Sequence, residues 1–329
     1  MQYDALTKTL LHLLSDNGFH SGAELASRLG ISRTAVWKAV RALQCRGIEI
    51  AALPGKGYRV TQPLELLSET VIRSSLNPNA NQLLGGLYIY DELDSTNTYL
   101  MRLAAEGAPS GAVCLAETQT AGKGRIGRSW LSPLGANIYL SILWRFDDHS
   151  VVAGLSLAVG VAVIRALNRV GVIGVGLKWP NDLLWEDRKL GGILLEVTGE
   201  AHGGCAVIVG LGVNRYISPA VGRGIDQVWV DLDTVAGASA PSRNHLVASI
   251  LSELLPLLND YRYTGLAPYL PEWRRYHHLT GREVVVHQGD MEMAGTVADV
   301  TADGLLIVMC KDGKRREFAS GDVRLRIAG

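Results

Sequence analysis

Cysteine is sparse. Cys45, Cys114, Cys205 and Cys310 are scattered, with no C-x-x-C pair and no metal-ligand spacing. The expectation is four reduced thiols, not a disulfide framework or a zinc site. Net charge is also lacking: Lys plus Arg and Asp plus Glu each number 32. The molecule as a whole therefore has no pull toward nucleic acid or membrane, and any such binding must come from a local patch. No long hydrophobic run is present either. The most apolar stretch, residues 151–164, is interrupted by Ser156 and ends at Arg165, which suits a buried helix better than a membrane span. The N-terminus has no basic segment ahead of an apolar one, so a secreted protein is not expected and a cytoplasmic one is.

A hydrophobic content of 47% over 329 residues is enough for two or three cores. The first segment reads as helices with clear punctuation. Leu6, Leu10, Leu13 and Leu14 share a helical face. Ser21-Gly22-Ala23-Glu24 has the form of a capping box, in which Ser21 accepts from the Glu24 N–H and the Glu24 side chain reaches back. The short helix it starts carries Leu25, Ala26 and Leu29 and stops at Gly30. Ser32 then caps a second helix, residues 33–45, with Val36, Val40 and Leu43 inward. Two β-like runs, 48–50 and 58–60, flank Pro54-Gly55-Lys56-Gly57 as a hairpin wing. The order helix, tight turn, helix and wing matches a winged helix-turn-helix spanning residues 1–63 and closed by the linker Thr61-Gln62-Pro63. Residues 1–60 hold a local excess of four positive charges. Within the helix-turn-helix, residues 22–41, Arg33, Thr34, Lys38 and Arg41 fall on the outer face, with Lys56 on the wing. They suit phosphates and a major groove. A helical docking module with a solvated basic face is the competing reading.

The middle of the chain mixes helices and strands: a helix over 98–106, a strand over 112–116, a strand over 137–144 and a buried helix over 151–170. Further strands fall at Leu177, 183–185, 193–197 and 206–212. Few βαβ units appear, so a mixed, largely antiparallel sheet with helices against it is expected. From about residue 280, short β-like runs separated by Gly and Asp turns suggest a small SH3-like barrel.

The glycine-rich stretch 120–130, TAGKGRIGRSW, imitates G-x-G-x-x-G. Yet Gly127 is followed by Arg128-Ser129-Trp130-Leu131-Ser132-Pro133, loop chemistry leading into a strand. A dinucleotide fingerprint needs a helix there. A Walker A loop fails for want of Ser or Thr after Gly122-Lys123, and kinase partner motifs are missing. By composition alone the loop is either a solvated basic loop or an anion site built from Lys123, Gly124, Arg125, Ile126 and Arg128. Three other stretches bear on it. Asp94-Ser95-Thr96-Asn97 opens a helix, where one hydroxyl can cap and the others can face a ligand. Lys178-Trp179-Pro180-Asn181-Asp182 sets a cation, an aromatic ring, an amide and a carboxylate around a proline bend. Lys189 beside Gly191-Gly192 suits a carboxylate or phosphate.

Taken in order, the wing PGKGY, DSTN at 94–97, ETQTAGKGRIGRSW at 117–130, GANIYLS at 135–141, KWPND at 178–182, DRKLGGIL at 187–194 and GLGVN at 210–214 carry a resemblance over essentially the whole chain. The sequence resembles the family of bifunctional biotin–protein ligases that double as biotin operon repressors. That resemblance implies an α+β multidomain protein: the winged helix-turn-helix, a class II synthetase-like biotin/lipoate ligase domain over 64–277, and an SH3-like β-barrel over 278–329. It implies that biotin and ATP, with Mg²⁺, give biotinyl-5′-AMP and pyrophosphate. Biotin then passes to a lysine of the biotin carboxyl carrier protein of acetyl-CoA carboxylase. The adenylate would be corepressor for a homodimer on the biotin operator, with no membrane partner. Arg125 and Lys189 would hold the biotin carboxylate and the phosphate, and Arg128 the outgoing pyrophosphate. Ser95, Thr96, Asn97, Gln119 and the backbone of Lys123, with Gly124 and Ile126, would line the biotin site. Asn181, Asn214, Trp229 and Arg326 would contact the nucleotide, Trp229 by stacking. Asp182 would orient or deprotonate the acceptor lysine. The family's best-known loop has arginine at Lys123 and Ile126. Lysine keeps the charge without the planar fork, and Ile126 replaces a cation with an apolar side chain. A lipoate or octanoate ligase and a ligand-sensing repressor without catalysis are the alternatives. The combined motifs argue against the first, and retention of Arg125 with Lys189 against the second.

Overall fold

In the computed structural model, which describes residues 5–148, 152–199, 204–288, 291–320 and 323–327, the chain opens with three helices. These are α1 (Ala5–Leu14), α2 (Gly22–Leu29) and α3 (Arg33–Cys45), followed by the hairpin β1 (Ile50–Leu53) and β2 (Gly57–Val60). Leu10, Leu14, Leu25, Val36, Val40 and Leu43 share one buried cluster, as the apolar spacing requires. Ser21 does accept from the Glu24 N–H, and left-handed Gly30 ends α2. The capping box is only half made, however. The Glu24 carboxylate turns outward to Arg28 at 3.0 Å and to His20 at 3.4 Å, where charged partners outcompete one backbone N–H. The first wing strand also starts later than residues 48–50 suggest. Ile48 folds back on α3, donating its N–H to Leu43 O, and is buried there.

The segment read as a linker is packed. The Gln62 side chain is buried and accepts from the Glu49 N–H, and Leu64 joins the N-terminal cluster. Two short helices follow, α4 (Glu69–Ser75) and α5 (Pro78–Leu83), and then the central unit: β3 (Gly86–Leu93), α6 (Thr96–Ala105), β4 (Ala112–Gln119), β5 (Ile138–Phe146), α7 (Leu155–Arg169), β6 (Gly176–Lys178), β7 (Asp182–Trp185), β8 (Arg188–Gly199) and β9 (Cys205–Val213). The strands form one seven-stranded sheet in the order β3-β4-β5-β9-β8-β7-β6. Only β3 and β4 run parallel; the other pairs are antiparallel. After β9 come α8 (Pro219–Gly222), α9 (Leu232–Ala236), α10 (Arg243–Thr264) and α11 (Leu270–Tyr276). Apolar α7 and α10 form the main core with one face of the sheet, while Leu100 and Ala104 of α6 pack on the other. The helix expected over 98–106 begins two residues earlier, because the Thr96 N–H is already satisfied by the Gln119 side chain at 2.9 Å.

The C-terminal strands β10 (Glu283–Gln288), β11 (Met291–Val300), β12 (Leu306–Cys310), β13 (Arg315–Phe318) and β14 (Val323–Ile327) form an antiparallel sheet in the order β13-β12-β11-β10-β14. It is latched to the central unit by Asp187, which pairs with Arg282 at 2.5 Å and His278 at 2.9 Å. The Trp179 indole adds a bond to Gly304 O at 3.0 Å. Among the described residues no helix is long and apolar enough to cross a membrane.

Candidate active site and nucleic-acid interface

Parallel pairing places Leu93 directly opposite Gln119, so the 94–97 turn and the glycine loop leave the sheet at the same end. Thr120 and Ala121 tie them together, donating to Leu93 O and Asp94 O at 2.8 Å each. Behind this junction lies a buried polar cluster. Ser95, Thr96, Asn97 and Ser141 are all at most 4% exposed. Ser141 Oγ lies 2.6 Å from Asn97 Oδ1 and 2.7 Å from Thr96 Oγ1. Thr96 Oγ1 is in turn 3.2 Å from Gln119 Oε1. The Gln119 amide nitrogen donates to Ser132 Oγ at 3.1 Å. Such density of buried hydroxyls and amides needs a complete set of partners. The expected hydroxyl cap on α6 is not made: Ser95 stands at the N-cap position without a side-chain capping bond.

Two glycines of GLGVN make room for this cluster. A β-carbon at Gly210 would lie 2.3 Å from Asn97 Oδ1, and one at Gly212 would lie 2.5 Å from the Trp130 ring. Trp130 thus lies close against the sheet, its buried indole N–H without a hydrogen-bond partner among the described residues. Lys189 Nζ sits 5.5 Å from its ring centroid.

The glycine loop is folded back on itself. Trp130 N donates to Gly122 O at 2.8 Å and Gly124 N to Arg128 O at 2.7 Å. At its tip Ile126 has φ +55°, a left-handed conformation that costs a β-branched residue of order 1–3 kcal/mol. Lys123 reaches Glu196 Oε1 at 3.4 Å. Arg125 donates to Asn181 Oδ1 at 3.1 Å and to the carbonyl of Ser320 in the C-terminal unit. The Arg128 side chain is exposed.

The KWPND segment meets the loop here. Asn181 is fixed by Ile193, donating to its carbonyl at 2.6 Å and accepting from its N–H at 2.9 Å. Asp182 pairs with Lys189 at 2.8 Å. Burial pushes the Lys178 ammonium below the ordinary lysine range, Asp182 opposing and Lys189 and Arg128 adding repulsion. Lys178 is thus close enough to feel Lys189 and Arg128, with Asp182 and Asp187 as counter-charges, and Arg125 reaches the same segment through Asn181.

Asn214 holds the backbone of this cluster. Its amide nitrogen donates to Lys189 O at 3.3 Å and Val230 O at 3.0 Å. Trp229 is bridged to Lys189 and packs on Gly222, where a β-carbon would come within 2.2 Å of the ring. Arg326 lies on β14 with its backbone opposite Val285; its side chain falls outside the described residues. Sequence reasoning gave no role to Glu196, Ser141, Trp130 or Lys178. An acidic residue inside the apolar run ILLEV was the one available signal for Glu196.

On the N-terminal unit, Arg33, Thr34, Lys38 and Arg41 are exposed along α3 and Lys56 on the wing. Trp37 is also 52% exposed on that helix. With Leu53 of the wing it lines an open groove of about 760 Å³.

Three family models match the chain: an HTH domain over residues 6–59, the biotin/lipoate A/B protein ligase family over 90–214, and the biotin protein ligase C-terminal domain over 279–326. The bifunctional ligase/repressor BirA of Salmonella typhimurium is 38% identical over 321 residues, covering 97% of both chains. That of Escherichia coli is 36% identical over 329 residues, covering 100% of this chain and 99% of the relative. Among solved structures, the Aquifex aeolicus biotin protein ligase in complex with biotin and ATP aligns with a TM-score of 0.62 and 26% identity, over 74% of this chain and 99% of that one.

Proposed function

Because this chain belongs to the bifunctional biotin ligase/repressor family, we propose that its loop 120–130 closes biotin and ATP into the pocket between β4, β8 and the KWPND turn. The reaction is ATP-dependent ligation of biotin to a carrier protein. The observation that carries the site reading is the meeting of the glycine loop with the KWPND segment, where Arg125 bonds to Asn181 beside the Asp182–Lys189 ion pair.

A biotin carboxylate oxygen attacks the α-phosphorus of ATP, the bond to the bridging oxygen breaks, and pyrophosphate leaves with biotinyl-5′-AMP remaining. Bringing a carboxylate against a triphosphate is opposed by charge. Arg125, Lys189 and Arg128 offset that repulsion in a partly water-excluded site. Lys189 shares its charge with Asp182, so an arriving anion takes over a partner the lysine already has. The freed Asp182 carboxylate is then near the mixed anhydride, where it accepts the proton of an incoming carrier lysine as that amine attacks the biotinyl carbonyl and AMP departs. Trp229, backed by Gly222, offers a half-buried face for the adenine. Among the described residues no group of three or more His, Cys, Asp or Glu is arranged to hold a metal. Mg²⁺ would arrive with the nucleotide and help offset the charge on its phosphates.

The carrier is the biotin carboxyl carrier protein of acetyl-CoA carboxylase. The N-terminal unit binds operator DNA through α3 and the wing, as a homodimer whose formation the adenylate favours by ordering the loop. The deciding experiment supplies biotin, ATP, Mg²⁺ and a carrier domain and weighs the carrier. A gain of one biotinyl group is expected; transfer of lipoate instead, or of nothing, rejects the reading.

A further inference from the structure

Glu196 stands outside every role above, yet its carboxylate holds both walls of the pocket. Its Oε2 accepts from Asn97 Nδ2 at 2.7 Å, and its Oε1 faces Lys123 Nζ at 3.4 Å. A carboxylate can only accept, so it fixes the Asn97 amide with nitrogen toward β8 and oxygen toward Ser141. Asn97 Oδ1 must then take the Ser141 hydroxyl proton across 2.6 Å. The Thr96 hydroxyl proton then has two acceptors in reach, Ser141 Oγ at 2.7 Å and Gln119 Oε1 at 3.2 Å, and the shorter contact takes it. Gln119 Oε1 is meanwhile served by the Thr96 backbone N–H at 2.9 Å.

Counting protons in this way leaves one contact with none. Thr96 Oγ1 and Gln119 Oε1 stand 3.2 Å apart, the longest of the three oxygen–oxygen contacts, and once the Thr96 proton serves Ser141 both oxygens are left as acceptors. Two converging acceptors are the complement of a ligand N–H donor. We propose that Glu196 is a positioning residue that sets the direction of the whole chain, Thr96 to Ser141 to Asn97 to Glu196, and thereby makes the pocket select for a ureido N–H. It acts through Asn97 and does not touch the reacting atoms. Its bond to Lys123 adds a second effect, drawing the glycine loop down over the same wall.

This inference rests on the biotin-ligase reading, and the test separates the two. Biotin-dependent ATP–pyrophosphate exchange is measured for the parent, Glu196→Ala and Glu196→Gln, with biotin and with an analogue methylated on a ureido nitrogen. Glu196→Ala is expected to raise KM for biotin at least about tenfold, the scale of losing a bond to a charged acceptor. Its kcat and KM for ATP should stay near the parent's. Glu196→Gln, whose carbonyl still accepts from Asn97, should recover most of that KM although the charge facing Lys123 is gone. The parent's preference for biotin over the methylated analogue should narrow in Glu196→Ala. The proposal is overturned if Glu196→Gln is as impaired as Glu196→Ala, if KM for ATP rises in step with that for biotin, or if biotin binding is unaffected. A parent that exchanges with no biotin at all rejects the ligase reading itself, and this inference with it.

Discussion

Gly135 presses directly on Leu64: a β-carbon at Gly135 would lie 2.6 Å from Leu64 Cδ1, and the glycine has φ +65°. Leu64 and Leu134 are both buried in the cluster that forms the core of the DNA-binding unit. The segment after the glycine loop is thus part of the N-terminal core, and the two units are joined by packing rather than by a tether. Leu64→Ala should therefore destabilise the N-terminal unit by about 2–5 kcal/mol, the range for emptying a buried leucine site. Chemical denaturation would show this as an earlier transition. An unchanged midpoint would mean the contact contributes nothing.

Lys189→Ala removes the cation that pairs with Asp182 and that would meet the phosphate in the proposed reaction. Adenylation should fall by about 10²–10³-fold, the scale of losing one preorganised charge at a reacting phosphate. Binding of operator DNA in the absence of biotin and ATP should be unaltered. Pyrophosphate exchange and a gel shift read the two halves separately, and parent-like exchange would reject the assignment.

Trp37 offers its apolar face among Arg33, Thr34 and Arg41, a setting suited to a thymine methyl group. Trp37→Ala should weaken operator binding by about 1–3 kcal/mol while leaving the salt dependence alone. Lys38→Ala should instead lower the slope of affinity against salt by about one. Identical salt slopes for both variants would argue that Lys38 does not meet a phosphate.

His277 is buried at the junction with the C-terminal unit, stacked on Trp273 at 4.3 Å and bonded to Thr280 at 3.0 Å. Burial pushes its pKa down to about 4; Asp299 opposes and His278 adds to the effect. A folded-state value below the unfolded 6.5 means the fold holds the neutral ring. The contribution is complete above about pH 6.5 and is lost as pH falls toward 4. It amounts to about 3 kcal/mol between pH 7 and pH 4. His277→Phe keeps a stacked ring without a proton to bind. Its stability should fall less than the parent's over that window, as thermal unfolding at several pH values would reveal.

Much of this was legible in the residues. Local spacing gave α3, because Val36, Val40 and Leu43 repeat at helical intervals and Ser32 caps. Short turns between the middle strands gave the antiparallel character of the sheet. The site needed the motifs in combination, since neither the glycine loop nor KWPND specifies a ligand alone. What local pattern could not show was pairing across distance. Gln119 met the Thr96 N–H from 23 positions away, and Glu196 met Asn97 from 99 positions away. Each outcome depends on which partner the tertiary fold delivers, and no periodicity encodes that.

The parallel pair β3 and β4 also decides where the chain can be lengthened. The carboxyl ends of both strands finish at the proposed site, whereas the turn between α6 and β4 lies at the far end of the sheet. Glu106 and Gly107 there are exposed, and the glycine faces open space. A reporter peptide or a whole domain inserted at that turn would leave the register of Leu93 with Gln119 untouched, so the enzyme has a natural attachment point on the side away from its chemistry.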